Sequence, residues 1–551
     1  MAYTVADAVL DQLGEHGVRV CFGIPGVHNL PFWNGAGVGR RPRIVGVRHE
    51  QTAGYAADAA ARATGGLGVA ITTTGPGFAN ALAAFGEAYA SFSPVLLISS
   101  EAPLGPRRTS GHDDGLLHGM RSQADVITHG FGALAVSAAT AEDAVHAVPR
   151  LIAHALATGR PVYLGVPADI LASTWAGPDP TPAAGVGPND GLAPATPAPD
   201  QVAAAADAVR DRTVALWLGA RAVAAEDEVR RLAERLGALV VPTYQARGML
   251  ADLAGTVEVP PHEPTVAAQI AACDVLLVIG DELAGMTTRN WRMPVPPTIV
   301  AITDDDGASL GDYVLAARIV GDVTTSVTAL LDALGDADTV QTMPDGGALA
   351  AAVRGEIADD PRTSAASAFL TTLDEGWPDS GAVVVDMCIA GYWIGGYSRQ
   401  PRARRLQYPV GWGTLGFALP AAIGPAARGI PTLVVVGDGG AAMGIGELAT
   451  YSQERLPVAL LVVTDGGYGM LRFDQSVAGD ENRGVALVEP RWEDLAAAFD
   501  LKVVRTHDPG EGLTRALAQA RNGLTCGERW MVVLEAAFHP PRTTSPRWRE
   551  G

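Results

Sequence analysis

The sequence predicts an α/β protein of three doubly wound domains with parallel sheets, and three observations predict it. Short apolar runs of strand length alternate with Ala-rich stretches at helical spacing, the pattern of parallel strands covered by helices on both faces. Two tracts without periodicity, one rich in Pro and Gly and the other loose and polar, cut that alternation into blocks. At 551 residues the chain also exceeds one core, since domains run to about 100–200 residues each.

The first block is residues 1–175. It opens with MAYTVADAVLDQLGEHG, where apolar and acidic residues alternate at helical spacing; a basic segment followed by an apolar one is missing, so no signal peptide is expected. Its strands are RVCFGIPG, IVGVRH, LGVAITTTGPG, PVLLISSEAP and PVYLGVPAD. Residues 176–200, AGPDPTPAAGVGPNDGLAPATPAPD, read as a linker. A second block, 201–335, carries TVALWLG, ALVVPTY, DVLLVIGDE and TIVAITDDD as strands. Residues 336–362, which include DADTVQTMPDGG, form a second linker, and the third block, 363–551, carries AVVVDM, TLVVVGDG, VALLVVTDGG and WMVVLEAA.

Charge and composition exclude several functions. Forty Lys and Arg against 60 Asp and Glu give a net charge of −20, which argues against a nucleic-acid partner, because phosphate binding needs a basic footprint. No apolar run reaches membrane-spanning length, so no membrane partner is expected. The single lysine, Lys502, leaves Schiff-base chemistry and a Walker-type loop almost no material. Cys21, Cys273, Cys388 and Cys526 are far apart and form no CxxC pair; neither a zinc site nor a disulfide framework is suggested, and a cytoplasmic location is expected.

One stretch concentrates chemistry: VVVGDGGAAMGIGELATYSQERLPVALLVVTDGGYG. Two apolar runs each break off at an aspartate beside glycine, and Asp438 and Asp465 lie 27 positions apart. In open parallel sheets ligands bind beyond the carboxyl ends of the strands, where both acids fall. An aspartate inside a glycine turn repels a pyrophosphate unless a divalent cation stands between them, so the pair implies Mg²⁺ facing a phosphate group. Gly437, Gly439 and Gly440 would let backbone N–H groups approach that phosphate. Two rival readings exist. Gly437 to Ala442 also satisfies the lenient GxGxxA dinucleotide pattern, with Asp465 as a ribose-binding acid, and Gly-Asp pairs also make plain turns.

GDGG, the intervening ELATYSQERLPV and the closing TDGGYGM resemble the motif of the thiamine diphosphate (ThDP) enzymes, in which GDG is followed by an Asn-rich turn. The resemblance implies Asp438 and Asp465 as Mg²⁺ ligands through their side chains and Gly467 through its carbonyl, with Gly469 and Met470 beside the cofactor. Thr464-Asp465 stands where Asn-Asn is usual. VRHEQTAGYAADAAARATG resembles the family's Glu-containing motif and implies Glu50 as the acid that protonates the aminopyrimidine ring. The bland alternative is a Glu stabilising a helix N-terminus. GWGTLGFALPAAIG resembles the cofactor-bending loop, with Gly413 accepting from the 4′-amino group and Leu415 wedged between the rings. Asp386, Met387 and Cys388 match the segment that touches the diphosphate. FGIPG and TTTGPGFAN resemble the first-domain loops, which puts Gly26 and Gly75 near the cofactor.

The likeness covers nearly the whole chain, in the order typical of the acetolactate synthase, pyruvate oxidase and benzoylformate decarboxylase group: pyrimidine-binding, central and diphosphate-binding domain. It implies a homodimer as the smallest active unit, with a homotetramer expected. The implied substrate is a small 2-oxo acid that loses CO₂, followed by aldehyde release or by carboligation as in acetolactate synthesis. The alternatives are a flavin-dependent oxidase of the pyruvate oxidase type and a non-catalytic ThDP-fold module; no motif in the central block favours FAD. His129 stands where acetohydroxyacid synthases usually carry Lys, which weighs against simple acetolactate synthesis. On the substrate side the candidates are Gln51 and His28, followed by His112 and His118 in GHDDGLLHGMRSQ, each also readable as a polar loop residue. Asp113 and Asp114 would suit a cationic oxo acid, and FGIPGVHN and LLHG resemble decarboxylases of guanidino-type oxo acids.

Overall fold

The computed structural model describes residues 2–104, 122–177, 196–304, 310–335 and 344–542. Its strands form three parallel sheets of six, five and six strands. The first holds β1 (Val20–Gly23), β2 (Arg43–Gly46), β3 (Gly68–Thr72), β4 (Val95–Glu101), β5 (Ala135–Ser137) and β6 (Val162–Pro167), in the order β2-β1-β3-β4-β6-β5. The second holds β7 (Val214–Leu218), β8 (Leu239–Pro242), β9 (Val275–Ile279), β10 (Thr298–Thr303) and β11 (Ala317–Val320), in the order β11-β10-β9-β7-β8. The third holds β12 (Ala382–Val385), β13 (Leu406–Gln407), β14 (Thr432–Gly437), β15 (Val458–Thr464), β16 (Lys502–Thr506) and β17 (Trp530–Glu535), in the order β13-β12-β14-β15-β17-β16.

Inner strands are apolar throughout because both faces are covered: every residue of β3, β9 and β15 is buried. Four strands go beyond the sequence expectation, namely β5, β11, β13 and β16, and each is an edge strand. An edge strand is packed less completely, so it need not be an apolar run. KVVRT of β16, half-buried or exposed along its length, shows the consequence.

In each sheet the chain runs first to one side of the opening strand and then to the other. The strand order therefore reverses between β1 and β3, between β7 and β9, and between β12 and β14. Such reversal points leave a crevice at the carboxyl ends of the strands.

The chain packs as two compact units. One comprises Met1–Ala193, Gly411–Pro431 and Gly444–Val458; the other comprises Pro194–Val410, Thr432–Met443 and Ala459–Gly551. The first unit is organised around α1 (Glu50–Thr64), which packs on α2 (Pro76–Ala90) and on α3 (Ala418–Ala427). The alanine repeat of α1 permits this, since Ala53, Ala56, Ala57, Ala59, Ala60 and Ala61 are all buried. Contact with α3 is so close that a Cβ on Gly424 would lie 2.2 Å from the Ala56 carbonyl oxygen. In the second unit the second and third sheets share one core, in which Trp217 and Val278 join Phe369, Val385, Trp393 and Val435. No described helix is long and apolar enough to cross a membrane.

Candidate active site

The reversal point of the third sheet gathers the acids singled out by sequence. Asp438 follows β14 and opens α4 (Asp438–Gly444). Its Oδ1 accepts the Gly439 N–H (2.9 Å), and Oδ2 accepts the Gly466 N–H (3.0 Å) and the Thr464 hydroxyl (3.3 Å). Thr464 thus supplies a donor to the first acid where the resemblance leads one to expect asparagine. Asp465 follows β15 and pairs with Arg472 (3.0 Å) on α5 (Gly469–Ala478). Burial raises both carboxyls above the ordinary aspartate range. At Asp465, Arg472 opposes the rise and the Asp438 charge adds to it.

The remaining candidates in this unit converge on the same strand ends. Asp386, fully buried after β12, accepts the Met387 N–H (2.9 Å) and lies 3.0 Å from where a Gly440 Cβ would stand. Cys388 accepts the Gly391 N–H (3.4 Å) through sulfur, and burial pushes its thiol up to about 12. A Cβ at Gly437 would sit 3.2 Å from the Cys388 Cβ, and one at Gly439 would lie 2.6 Å from the Tyr468 ring. Gly467 adopts φ +150°, and a Cβ there would come within 2.0 Å of the Val485 carbonyl oxygen, so only glycine makes this turn. Gly469 and Met470 begin α5 directly beyond it.

These residues fit a bridged cation and diphosphate. A buried carboxylate, Asp438, and a half-buried one, Asp465, stand at neighbouring strand ends, the charge of the first raises the second, and carboxylate oxygens are hard donors suited to Mg²⁺. Among the described residues no three His, Cys, Asp or Glu side chains converge as a metal cluster. Two carboxylates and the Gly467 carbonyl would leave the other positions to the oxygens of a ligand.

In the first unit, Glu50 is the first residue of α1, and its Oε2 accepts from Asn80 Nδ2 (2.9 Å). Gln51 turns along the same helix and donates to the Tyr55 hydroxyl (2.8 Å). Asn29 is buried and closes its own turn, accepting the Gly26 N–H (2.7 Å) and donating to the Ile24 carbonyl (3.0 Å). At the reversal point of this sheet a polar chain links the strand ends. His28 Nδ1 meets the Thr74 hydroxyl (2.8 Å), which meets that of Ser100 (3.1 Å). The Gly75 N–H donates to Gln123 (3.0 Å), which donates to the Tyr163 hydroxyl (2.9 Å).

Gly413 and Leu415 flank Thr414, whose hydroxyl donates to the buried Glu87 carboxylate (2.9 Å). His112 and His118, with Asp113 and Asp114, lie outside the described residues. Sequence reasoning missed Asn80, Thr74, Glu87 and Arg472. Asn80 stood in plain view within TTTGPGFAN, whereas Glu87 reads as one more residue of an Ala-rich helix.

Three family models match this chain along its length. They describe the N-terminal TPP binding domain (residues 3–149), the central domain (202–330) and the C-terminal TPP binding domain (386–533) of thiamine pyrophosphate enzymes. A Pseudomonas aeruginosa protein named "Probable 2-ketoarginine decarboxylase" is 32% identical over 532 residues, covering 92% of this chain and 90% of that one. The chain belongs to the thiamine pyrophosphate enzymes.

Acetolactate synthase of Mycobacterium bovis is 31% identical, covering 86% of this chain and 78% of its own. Indole-3-pyruvate decarboxylase of Azospirillum brasilense is 28% identical, covering 94% and 92%. The fold is shared with an X-ray structure of a candidate thiamin diphosphate-dependent enzyme from Mycobacterium smegmatis. That comparison has a TM-score of 0.77 at 22% identity, over 98% of this chain and 100% of that one. For this thiamine pyrophosphate enzyme, the strand-end acids and Glu50 are thereby set in domains of the expected family and order.

Proposed function

We propose that this enzyme is a ThDP- and Mg²⁺-dependent lyase that decarboxylates a 2-oxo acid and releases an aldehyde. The observation that carries the reading is the pair of carboxylates, buried Asp438 and half-buried Asp465, at neighbouring strand ends beside the reversal point of the third sheet. In this reading residues 1–175 are the pyrimidine-binding domain, 201–335 the central domain and 363–551 the diphosphate-binding domain. The active enzyme is a cytoplasmic homodimer at least, assembling as a homotetramer.

When bound, ThDP supplies the nucleophilic carbon and the electron sink. Asp438, Asp465 and the Gly467 carbonyl hold Mg²⁺, while Gly437, Gly439 and Gly440 leave the diphosphate room beside Asp386, Met387 and Cys388. By the resemblance, Gly413, Leu415, Gly469 and Met470 would contact the bound cofactor, and Gly26 and Gly75 would lie near its pyrimidine. Glu50 holds a proton against the aminopyrimidine ring, with Asn80 fixing its Oε2. His28, oriented by Thr74 through Nδ1, moves a proton on the substrate side, a role shared with Gln51, His112 and His118.

The first substrate to try is a cationic, guanidino-type 2-oxo acid. Its support is the likeness to the P. aeruginosa protein and the acids Asp113 and Asp114 in the sequence. Carboligation is the second reading, favoured by the acetolactate synthase relatives. Incubation with ThDP, Mg²⁺ and a panel of 2-oxo acids, with CO₂ followed and products separated, distinguishes aldehyde from 2-hydroxyketone. Glu50→Gln should abolish turnover and leave ThDP binding intact; unchanged turnover in that variant refutes the assignment.

A further inference from the structure

Asp465 is an acid rather than a neutral oxygen donor, and that choice has an electrostatic consequence. Two carboxylates already cancel the charge of one divalent cation, so a diphosphate approaching such a site meets no net positive charge. The structure holds a compensating group. Arg472, one turn into α5, pairs with Asp465 Oδ1 (3.0 Å), and its Nη2 also donates to the Asp465 carbonyl oxygen (3.0 Å). These two contacts tie the guanidinium to both the side chain and the backbone of one residue, while Asp465 Oδ2 lies over Gly469, 2.1 Å from where a Cβ would stand. The glycine is therefore required for the carboxylate to sit between the arginine and the helix start. Arg472 is partly exposed and Asp465 mostly buried, so the pair is screened on one side only.

We propose that Arg472 is a positioning and charge-balancing residue of the cofactor site: it holds the Asp465 carboxylate by Oδ1 and restores the positive charge that a second carboxylate removes. The inference rests on the ThDP and Mg²⁺ reading above. It predicts that Arg472 matters because residue 465 is charged, and matters little once that charge is gone.

A four-member cycle tests it: wild type, Arg472→Gln, Asp465→Asn and the double variant, with ThDP affinity measured by calorimetry at saturating Mg²⁺. Thermal midpoints check that each protein is folded. Arg472→Gln should weaken ThDP binding by about threefold to fivefold in the wild-type background, the upper end of the scale of a partly exposed charge pair. In the Asp465→Asn background the same change should cost less than about twofold. Arg472→Lys should recover part of the loss, since it returns the charge on a shorter side chain of different reach. Equal losses in both backgrounds, or no loss in the wild-type one, overturn the proposal while leaving the ThDP reading intact. Wild-type protein that binds no ThDP in the presence of Mg²⁺ overturns that reading itself.

Discussion

Replacing Arg62 with methionine should destabilise the first unit severely, and should do so less at acid pH. Arg62 on α1 lies between two carboxylates with no solvent exposure, Asp58 and Glu87. Its Nε donates to Asp58 Oδ1 at 2.7 Å and its Nη2 to Glu87 Oε1 at 3.1 Å, and its guanidinium lies 5.4 Å from the Phe417 ring ahead of α3. At an effective dielectric of about 20, a charge pair near 3 Å is worth about 5 kcal/mol, and two such attractions disappear together. Part of that is offset because the arginine's own desolvation cost disappears too, which leaves a net loss of about 3–5 kcal/mol for breaking a buried pair on one side. Domain stabilities are about 5–15 kcal/mol, so the change is decisive.

The sign of the pH dependence follows from Glu87, whose carboxyl burial holds above the usual range while Arg62 pulls it down. Without Arg62 it rises further. An acid whose folded pKa is raised destabilises the fold once pH exceeds its unfolded value, so acidification below the folded value, toward the unfolded one, removes the penalty. Urea denaturation of wild type and variant at about pH 7.5 and about pH 5.5 checks this, with the loss relative to wild type expected to shrink at the lower pH. A loss below about 1 kcal/mol at the higher pH, or one that does not shrink, refutes the reasoning.

Three further outcomes are expected. Gly424→Val should lower the thermal midpoint through a stability loss of about 1–3 kcal/mol or more, because its Cβ would lie 2.2 Å from the Ala56 carbonyl oxygen and 2.7 Å from the Ala60 nitrogen and would force α3 off α1. Thr414→Val removes a hydrogen bond to a buried carboxylate worth about 1.5–3 kcal/mol and should weaken ThDP binding by freeing the loop between Gly413 and Leu415, as titration of the cofactor would report. Asp438→Ala should remove most of the Mg²⁺ dependence of ThDP binding, and calorimetry giving equal affinities for wild type and variant with and without chelator contradicts the metal assignment.

The sequence by itself determined the features whose causes are local. A strand buried on both faces must be an apolar run, so TLVVVG, VALLVVT and AVVV declared themselves, and the turns that end them carry Asp438, Asp465 and Asp386 in the adjoining residues. Glu50 was legible for the same reason, lying where a strand-like run gives way to an alanine helix. The edge strands β5, β11, β13 and β16 were not, because an edge position does not demand an unbroken apolar run.

Tertiary structure alone decided which distant groups meet. Thr414 finds Glu87 across 327 residues, His28 finds Thr74 across 46, and the order in which strands pair sets β12, with Asp386 at its end, against both β13 and the strand that Asp438 follows. Such partners have no common period or spacing to betray them. Their proximity is set by sheet order and by the close contact of alanine- and glycine-faced helices, both of which arise only when the whole core packs.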